Sequence, residues 1–169
     1  RAPTDNDASI KYKWARLENN NRDGINLNIA MSKVYDSSVE VKGGAAVITV
    51  KGSEAGISKR PYLRYDAVYT VYPCGTVNVK LEGNVPENFV HLPRLGYEML
   101  LAEGNEYIEY FGMGEHENYV DICHHAKMGL YKSTVTDQYV PYVRPQEHGN
   151  HTKTKMLKIT NDIGVGLVF

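Results

Sequence analysis

The sequence predicts an all-β protein, and three observations carry that prediction. Apolar and polar residues alternate with a period of two over most of the chain from Ile25 onward. Gly-, Pro- and Asn-containing steps recur between the alternating runs, as hairpin turns require. Helical spacing is confined to one short stretch near the start. The expected architecture is a sandwich of large antiparallel sheets, each with one wet face.

Arg1 to Asp7 contains Pro3 and the run Asp5-Asn6-Asp7, and reads as a loop. Ser9 to Asn19 fits a short helix, with Ser9 as N-cap and Tyr12, Trp14 and Leu17 as its apolar contacts. Asn19-Asn20-Asn21 and Asp23-Gly24 end it. Ile25, Leu27, Ile29 and Met31 then open the alternating part, and Val39/Val41 and Val47/Thr49 continue it around Gly43-Gly44. Tyr65, Ala67, Tyr69 and Val71 form the next set, followed after Pro73-Cys74-Gly75 by Val77, Val79 and Leu81. Strands are expected over Val90 to Leu101 and Glu106 to Phe111, separated by Glu103-Gly104-Asn105. Met128 to Tyr131, Lys155 to Thr160 and Val165 to Phe169 complete about ten short strands. The 13 tyrosines are used mainly for cross-strand packing on this reading, although exposed aromatic rings also grip sugars.

With 169 residues the chain is long enough for one domain with a core, or for part of a larger one. A formal charge of -1 gives no electrostatic case for nucleic acid or an anionic membrane. Lys153, Lys155 and Lys158 are the densest late cluster, and their alternation suits the wet face of a strand. Two cysteines, Cys74 and Cys123, do not make a disulfide framework, so a cytoplasmic location is expected. No apolar run approaches the roughly 20 residues that span a bilayer. The opening Arg1 and the apolar close Gly164-Val-Gly-Leu-Val-Phe169 suggest a piece cut from a longer protein.

The segment from Gly112 to Asn150 departs from the alternation. It interleaves Glu115, His116, Glu117, Asn118, Tyr119 and Asp121 with Gly, and later Arg144, Gln146, Glu147 and Asn150 with Pro and Tyr. Such segments run over the rim of a sheet, where side chains meet a ligand or a neighbouring domain. His116-Glu117 resembles the start of a zinc-protease motif, but Val120 stands where its second histidine belongs. His124, His125, His148 and His151 with Cys123 lack a recognised ligand spacing, so packing or surface roles are favoured over metal. Asp5-Asn6-Asp7 lacks the glycine and closing glutamate of a calcium loop. There is no phosphate cradle and no nucleophile elbow. Asn150-His151-Thr152 matches the glycosylation sequon, which matters only in a secreted eukaryotic protein. Glycoside hydrolysis needs two carboxylates across the scissile bond. Glu115, Glu117, Asp121 and Glu147 are available, but hydrogen-bonded loop roles are favoured for them.

Four stretches together resemble one family. Arg1-Ala-Pro-Thr-Asp-Asn-Asp7, Leu92-Pro-Arg-Leu-Gly96, Tyr110-Phe-Gly-Met-Gly-Glu-His-Glu-Asn-Tyr-Val-Asp121 and Tyr139-Val-Pro-Tyr-Val-Arg-Pro-Gln-Glu-His-Gly-Asn150 occur in the order found in the C-terminal, small-chain domain of bacterial β-galactosidases. These are the retaining enzymes of the second glycoside hydrolase family. The resemblance implies a very large antiparallel sandwich (a supersandwich, akin to galactose mutarotase), here truncated at its C-terminal end. It implies that this chain is one section of that domain. The remaining domains of the same chain would be its partners, with a galactoside such as lactose as substrate and a homo-oligomeric parent. Both catalytic carboxylates would lie in a (β/α)-barrel elsewhere. Asp5, Asn6 and Asp7 match the motif that finishes the pocket wall, and Ala8, Ser9 and Ile10 stand where a mobile loop begins. Glu115, Glu117, Asn118, Tyr119, Asp121, Arg144, Gln146, Glu147 and Asn150 belong to signature loops expected to be structural. No catalytic residue, metal ligand or cofactor is expected in this chain, while magnesium and sodium are allowed for the whole enzyme. Trp14 is not the counterpart of the family's sugar-stacking tryptophan, which lies later in the full domain. Glu115 and His116 replace a common Pro and Gln, and His148 and His151 replace a common Asn and basic residue. A free-standing carbohydrate-binding module and a purely structural interdomain piece are the alternatives. A sugar epimerase using His124, His125 and Glu147 is a more distant one.

Overall fold

The computed structural model describes residues 26–87, 92, 94–144 and 146–169. The chain divides into two compact units, one ending at Leu95 and the other running from Gly96 to Phe169. Each holds one four-stranded antiparallel sheet, so the all-β class expected from the alternation is what the structure shows. The helix expected over Ser9 to Asn19 and the loop at Asp5 to Asp7 lie outside the described residues.

In the first unit, β1 (Ala30–Lys42), β2 (Ala45–Gly56), β3 (Leu63–Val71) and β4 (Val77–Asn84) form a meander in sequence order. The β1–β2 hairpin turns at Gly43 and Gly44, both with positive φ. Register places Val39, Ile48, Tyr69 and Val79 in one row across all four strands. Side chains alternate between faces, so this apolar row lies opposite the charged row Asp36, Lys51, Asp66 and Glu82. Ala45, Leu63 and Ala67 are the buried apolar residues of this sheet.

Two glycines make room in that sheet. Tyr65 pairs with Gly52 on one side and Gly83 on the other. A Cβ on Gly52 would lie 2.5 Å from the Tyr65 ring, and one on Gly83 would lie 2.8 Å from Leu63 Cδ1. Large side chains thus cover bare backbone on the neighbouring strands, which offsets the packing that glycine cannot supply. Between Val34 and Asp36 a β-bulge shifts the β1 register at Tyr35. The Tyr35 hydroxyl lies 3.1 Å from Ser53 Oγ, and Lys33 and Arg64 flank its ring at 5.0 and 5.7 Å.

The second unit has the strand order β6-β5-β7-β8, with β5 Tyr107–Gly114, β6 Lys127–Thr134, β7 Met156–Thr160 and β8 Gly166–Val168. Tyr110 pairs with Tyr131 on β6 and Leu157 on β7, and its ring stacks on Tyr131 at 5.4 Å between centroids. A Cβ on Gly114 would come within 2.6 Å of the Tyr110 hydroxyl oxygen and 2.7 Å of the Tyr131 ring. A Cβ on Gly129 would stand 3.1 Å from Tyr131. Gly114 and Gly129 are the floor on which the two tyrosines lie.

Two expected elements differ. Leu27–Ile29 is a 3-10 turn and the strand starts at Ala30, because Asn26 before it adopts a left-handed conformation (φ 63°) that breaks extended pairing. No strand forms among the described residues of Val90 to Leu101. Leu95, Tyr97, Met99 and Leu100 are exposed there. Alternation alone does not make a strand, since a strand also needs a neighbour to offer a ladder.

Candidate functional site

The polar stretch after β5 is built around Asn118, which is 0% exposed. Its amide nitrogen donates to the Met113 carbonyl at 2.9 Å and to the His116 carbonyl at 3.1 Å. Its amide oxygen accepts from the Thr152 backbone N–H at 2.9 Å and the Thr152 hydroxyl at 2.6 Å. All four side-chain hydrogen-bond positions of the buried amide are therefore used. The main chain repeats the link. Asn118 N donates to Asn150 O at 2.7 Å, and Asn150 Nδ2 returns a bond to Asn118 O at 2.6 Å. Met113 N donates to Thr152 O at 3.0 Å, extending the β5 ladder past the end of β7.

Glu117 ties down the loop between residues 139 and 149. Its Oε2 accepts from Gly149 N at 2.7 Å and from the Tyr119 hydroxyl at 3.5 Å. Its Oε1 accepts from the Tyr142 hydroxyl. The Glu117 carbonyl lies 3.0 Å from His125 Nε2. Tyr119 and Ile122 close the intervening turn through reciprocal backbone bonds of 3.0 Å. Burial, with the Glu117 carboxylate next to it, pushes the Tyr119 phenol above its ordinary value.

His151 sits beneath this arrangement. Its Nδ1 lies 3.1 Å from the Met113 carbonyl and its Nε2 lies 2.5 Å from Gln138 Oε1. The imidazole tilts against Tyr110 with 4.3 Å between centroids. Burial pushes the His151 ring below its ordinary value, outweighing the Met113 hydrogen bond and the Glu117 charge that act in the opposite direction.

Tyr110 is 2% exposed and donates to the Glu115 carbonyl at 3.1 Å. Burial, aided by Tyr131 and the Glu115 charge, pushes its phenol up to about 12. The ordinary tyrosine value is about 10, so the folded state resists ionisation. The stability this gives is fully present below about pH 10 and is lost as pH rises towards 12. In a spectrophotometric titration compared with Y110F, the difference should show one phenol that ionises only as the unit unfolds. Ionisation near pH 10 with the fold retained would contradict that.

The side chains of the other signature residues make no hydrogen bond to Asn118. Glu115, Asp121, Arg144 and Gln146 are exposed, as are His124 and Glu147. His148 packs edge-on against Tyr139 at 4.7 Å. Among the described residues no group of three or more His, Cys, Asp or Glu side chains could hold a metal ion. Thr152 and Gln138 are site residues that the sequence did not single out. Thr152 lay inside a glycosylation sequon, and nothing local connects it to an asparagine 34 positions earlier.

Comparison with known proteins fits this arrangement into a family. The model of the β-galactosidase small chain matches residues 1–168. The chain belongs to the β-galactosidase small-chain family. It is 34% identical over 161 residues to the β-galactosidase of Actinobacillus pleuropneumoniae, covering 95% of this chain and 15% of that protein. The β-galactosidase of Kluyveromyces lactis is 33% identical over 169 residues, covering 94% and 15%. That of Streptococcus thermophilus is 27% identical over 169 residues, covering 100% and 16%. The small-chain segment thus spans about 15% of the length of these β-galactosidases, and the knot around Asn118 lies within the family's matched region.

Proposed function

We propose that this chain is a section of the C-terminal domain of a retaining β-galactosidase acting on terminal β-D-galactosides such as lactose. It supplies scaffold and part of the pocket wall. The supporting observation is the match to the β-galactosidase small chain over residues 1–168, in a chain about 15% as long as its relatives. Those relatives have ample length outside the match for a catalytic domain. In this reading a glutamate there attacks the anomeric carbon while a second protonates the leaving oxygen. The second then activates the water that releases galactose with retained configuration. Asp5, Asn6 and Asp7 take the pocket wall, where carboxylate and amide groups can accept and donate hydrogen bonds to sugar hydroxyls. The Asn118 knot and Glu117 have a holding role. Glu117 has both oxygens engaged by Tyr142, Tyr119 and Gly149, which leaves neither oriented as a free base. Any metal the whole enzyme uses is held by other parts of the chain. Its other domains are the partners of this one, a homo-oligomeric parent is the expected assembly, and a cytoplasmic location fits the two free cysteines.

The test compares the full-length protein with the 169-residue chain on a chromogenic β-galactoside. The full-length protein should turn over and release β-galactose first, observed by proton NMR. The short chain should show no turnover above an impurity control. Turnover by the short chain, or initial release of α-galactose, contradicts the proposal.

A further inference from the structure

Four tyrosine hydroxyls of the second unit donate to groups that can only accept. Tyr119 and Tyr142 bond to the Glu117 carboxylate, Tyr110 to the Glu115 carbonyl and Tyr131 to the Lys127 carbonyl. A phenolate has no hydrogen to give, so each of these bonds favours the neutral phenol. Tyr35 has the opposite surroundings. We propose that Tyr35 is a covalent modification site, whose oxygen takes an acyl group from an electrophilic donor.

Register puts Lys33, Ser53 and Arg64 in one row across β1, β2 and β3. The bulge leaves Tyr35 without an opposite residue on β2, and its side chain turns onto that row. The hydroxyl meets Ser53 Oγ at 3.1 Å, and Ser53 is 2% exposed. A serine hydroxyl can donate or accept, so it keeps this bond when the phenol gives up its proton. Lys33 Nζ and Arg64 Cζ lie 5.0 and 5.7 Å from the ring centroid. Neither side chain joins a salt bridge among the described residues. The acids of this face, Asp36, Asp66 and Glu82, stand in the next row, with Lys51 between the first two. Ser53, with the Arg64 and Lys33 charges, holds the Tyr35 phenol below its ordinary value.

Tyr35 is also 51% exposed, which opens its oxygen to a reagent. In the step itself the phenolate oxygen attacks the acyl carbon, and the bond from that carbon to the leaving group breaks. The phenol proton passes through solvent to the leaving group, so no oxidant or third reactant is needed. A phenolate favoured by cations is also a somewhat weaker nucleophile, which limits the expected gain to a few-fold.

Limited acetylation of the full-length protein with N-acetylimidazole, followed by mass spectrometry of its peptides, tests this. Tyr107 is the internal comparison, because it is 52% exposed and lies between Thr134 and Thr160 in register. At about pH 7.5 and low salt, Tyr35 should be O-acetylated about threefold faster than Tyr107 or more. At about 1 M salt, where surface charges are screened, that advantage should fall below about twofold. Lys33→Gln and Arg64→Gln should each slow Tyr35 and leave Tyr107 unchanged. Equal rates at the two tyrosines in wild type overturn the proposal. An advantage that neither salt nor either substitution reduces overturns the role of the two cations. The salt comparison uses the unaltered protein, so it stands even if a variant fails to fold.

Discussion

Replacing Asn118 with alanine is expected to cost about 3 kcal/mol. Alanine leaves the half-buried Thr152 N–H and the His116 carbonyl without the amide that met them. The other two partners suffer less. The Met113 carbonyl keeps a bond from His151, and the Thr152 hydroxyl can rotate. Asn118→Asp has nearly the same shape but no N–H donors, so it sets a carboxylate against two carbonyl oxygens and should be no better tolerated. Thr152→Val removes one hydroxyl bond and keeps the backbone bond, so about 1 kcal/mol is expected. Urea unfolding followed by a probe in the unit from Gly96 to Phe169 measures all three. An alanine variant within about 0.5 kcal/mol of wild type would mean that the knot contributes little.

Gly149→Ala should cost about 2–3 kcal/mol, from two separate causes. Gly149 has φ +70°, a left-handed conformation that an L side chain adopts with strain. Its Cβ would also stand 2.8 Å from the Gln138 carbonyl, a backbone atom that cannot swing aside. Gly164 provides an internal comparison. It has φ +79°, but nothing lies within 4 Å of a Cβ there. Gly164→Ala should therefore show the backbone penalty alone, about 1 kcal/mol. The difference between the two variants isolates the contact between the loop and Gln138. Equal losses would show that the Gln138 carbonyl moves away freely.

The alternation of Tyr65, Ala67, Tyr69 and Val71, with its turns, made the all-β class and most strand positions legible. A period of two is a direct consequence of pleating, and it needs no knowledge of the partner strand. The same reasoning failed within Val90 to Leu101, where the described residues carry alternating side chains but form no strand. It failed again at Leu27 to Ile29, where Asn26 takes a left-handed conformation invisible to hydropathy. The candidate site was legible as composition only. Glu117 and Asn118 stood out as polar residues between glycines, but their partners Gly149 and Thr152 are 32 and 34 positions away. No local pattern encodes such a pairing, because it is fixed by how β5 and β7 lie side by side. The reason for Gly112, Gly114 and Gly129 was equally hidden. Each meets a side chain or backbone segment from elsewhere in the unit.

The central claim is that Glu117 holds the loop and takes no part in the chemistry. Glu117→Gln in the full-length protein tests it most directly, with kcat on a chromogenic β-galactoside and hydrogen-exchange protection of residues 139–150 measured on the same sample. The carboxylate accepts bonds from Tyr142, Tyr119 and Gly149, so the amide should weaken the loop by about 1–2 kcal/mol while kcat stays within about threefold of wild type. A fall in kcat of about a thousandfold with loop protection unchanged would place Glu117 in the reaction and contradict the account.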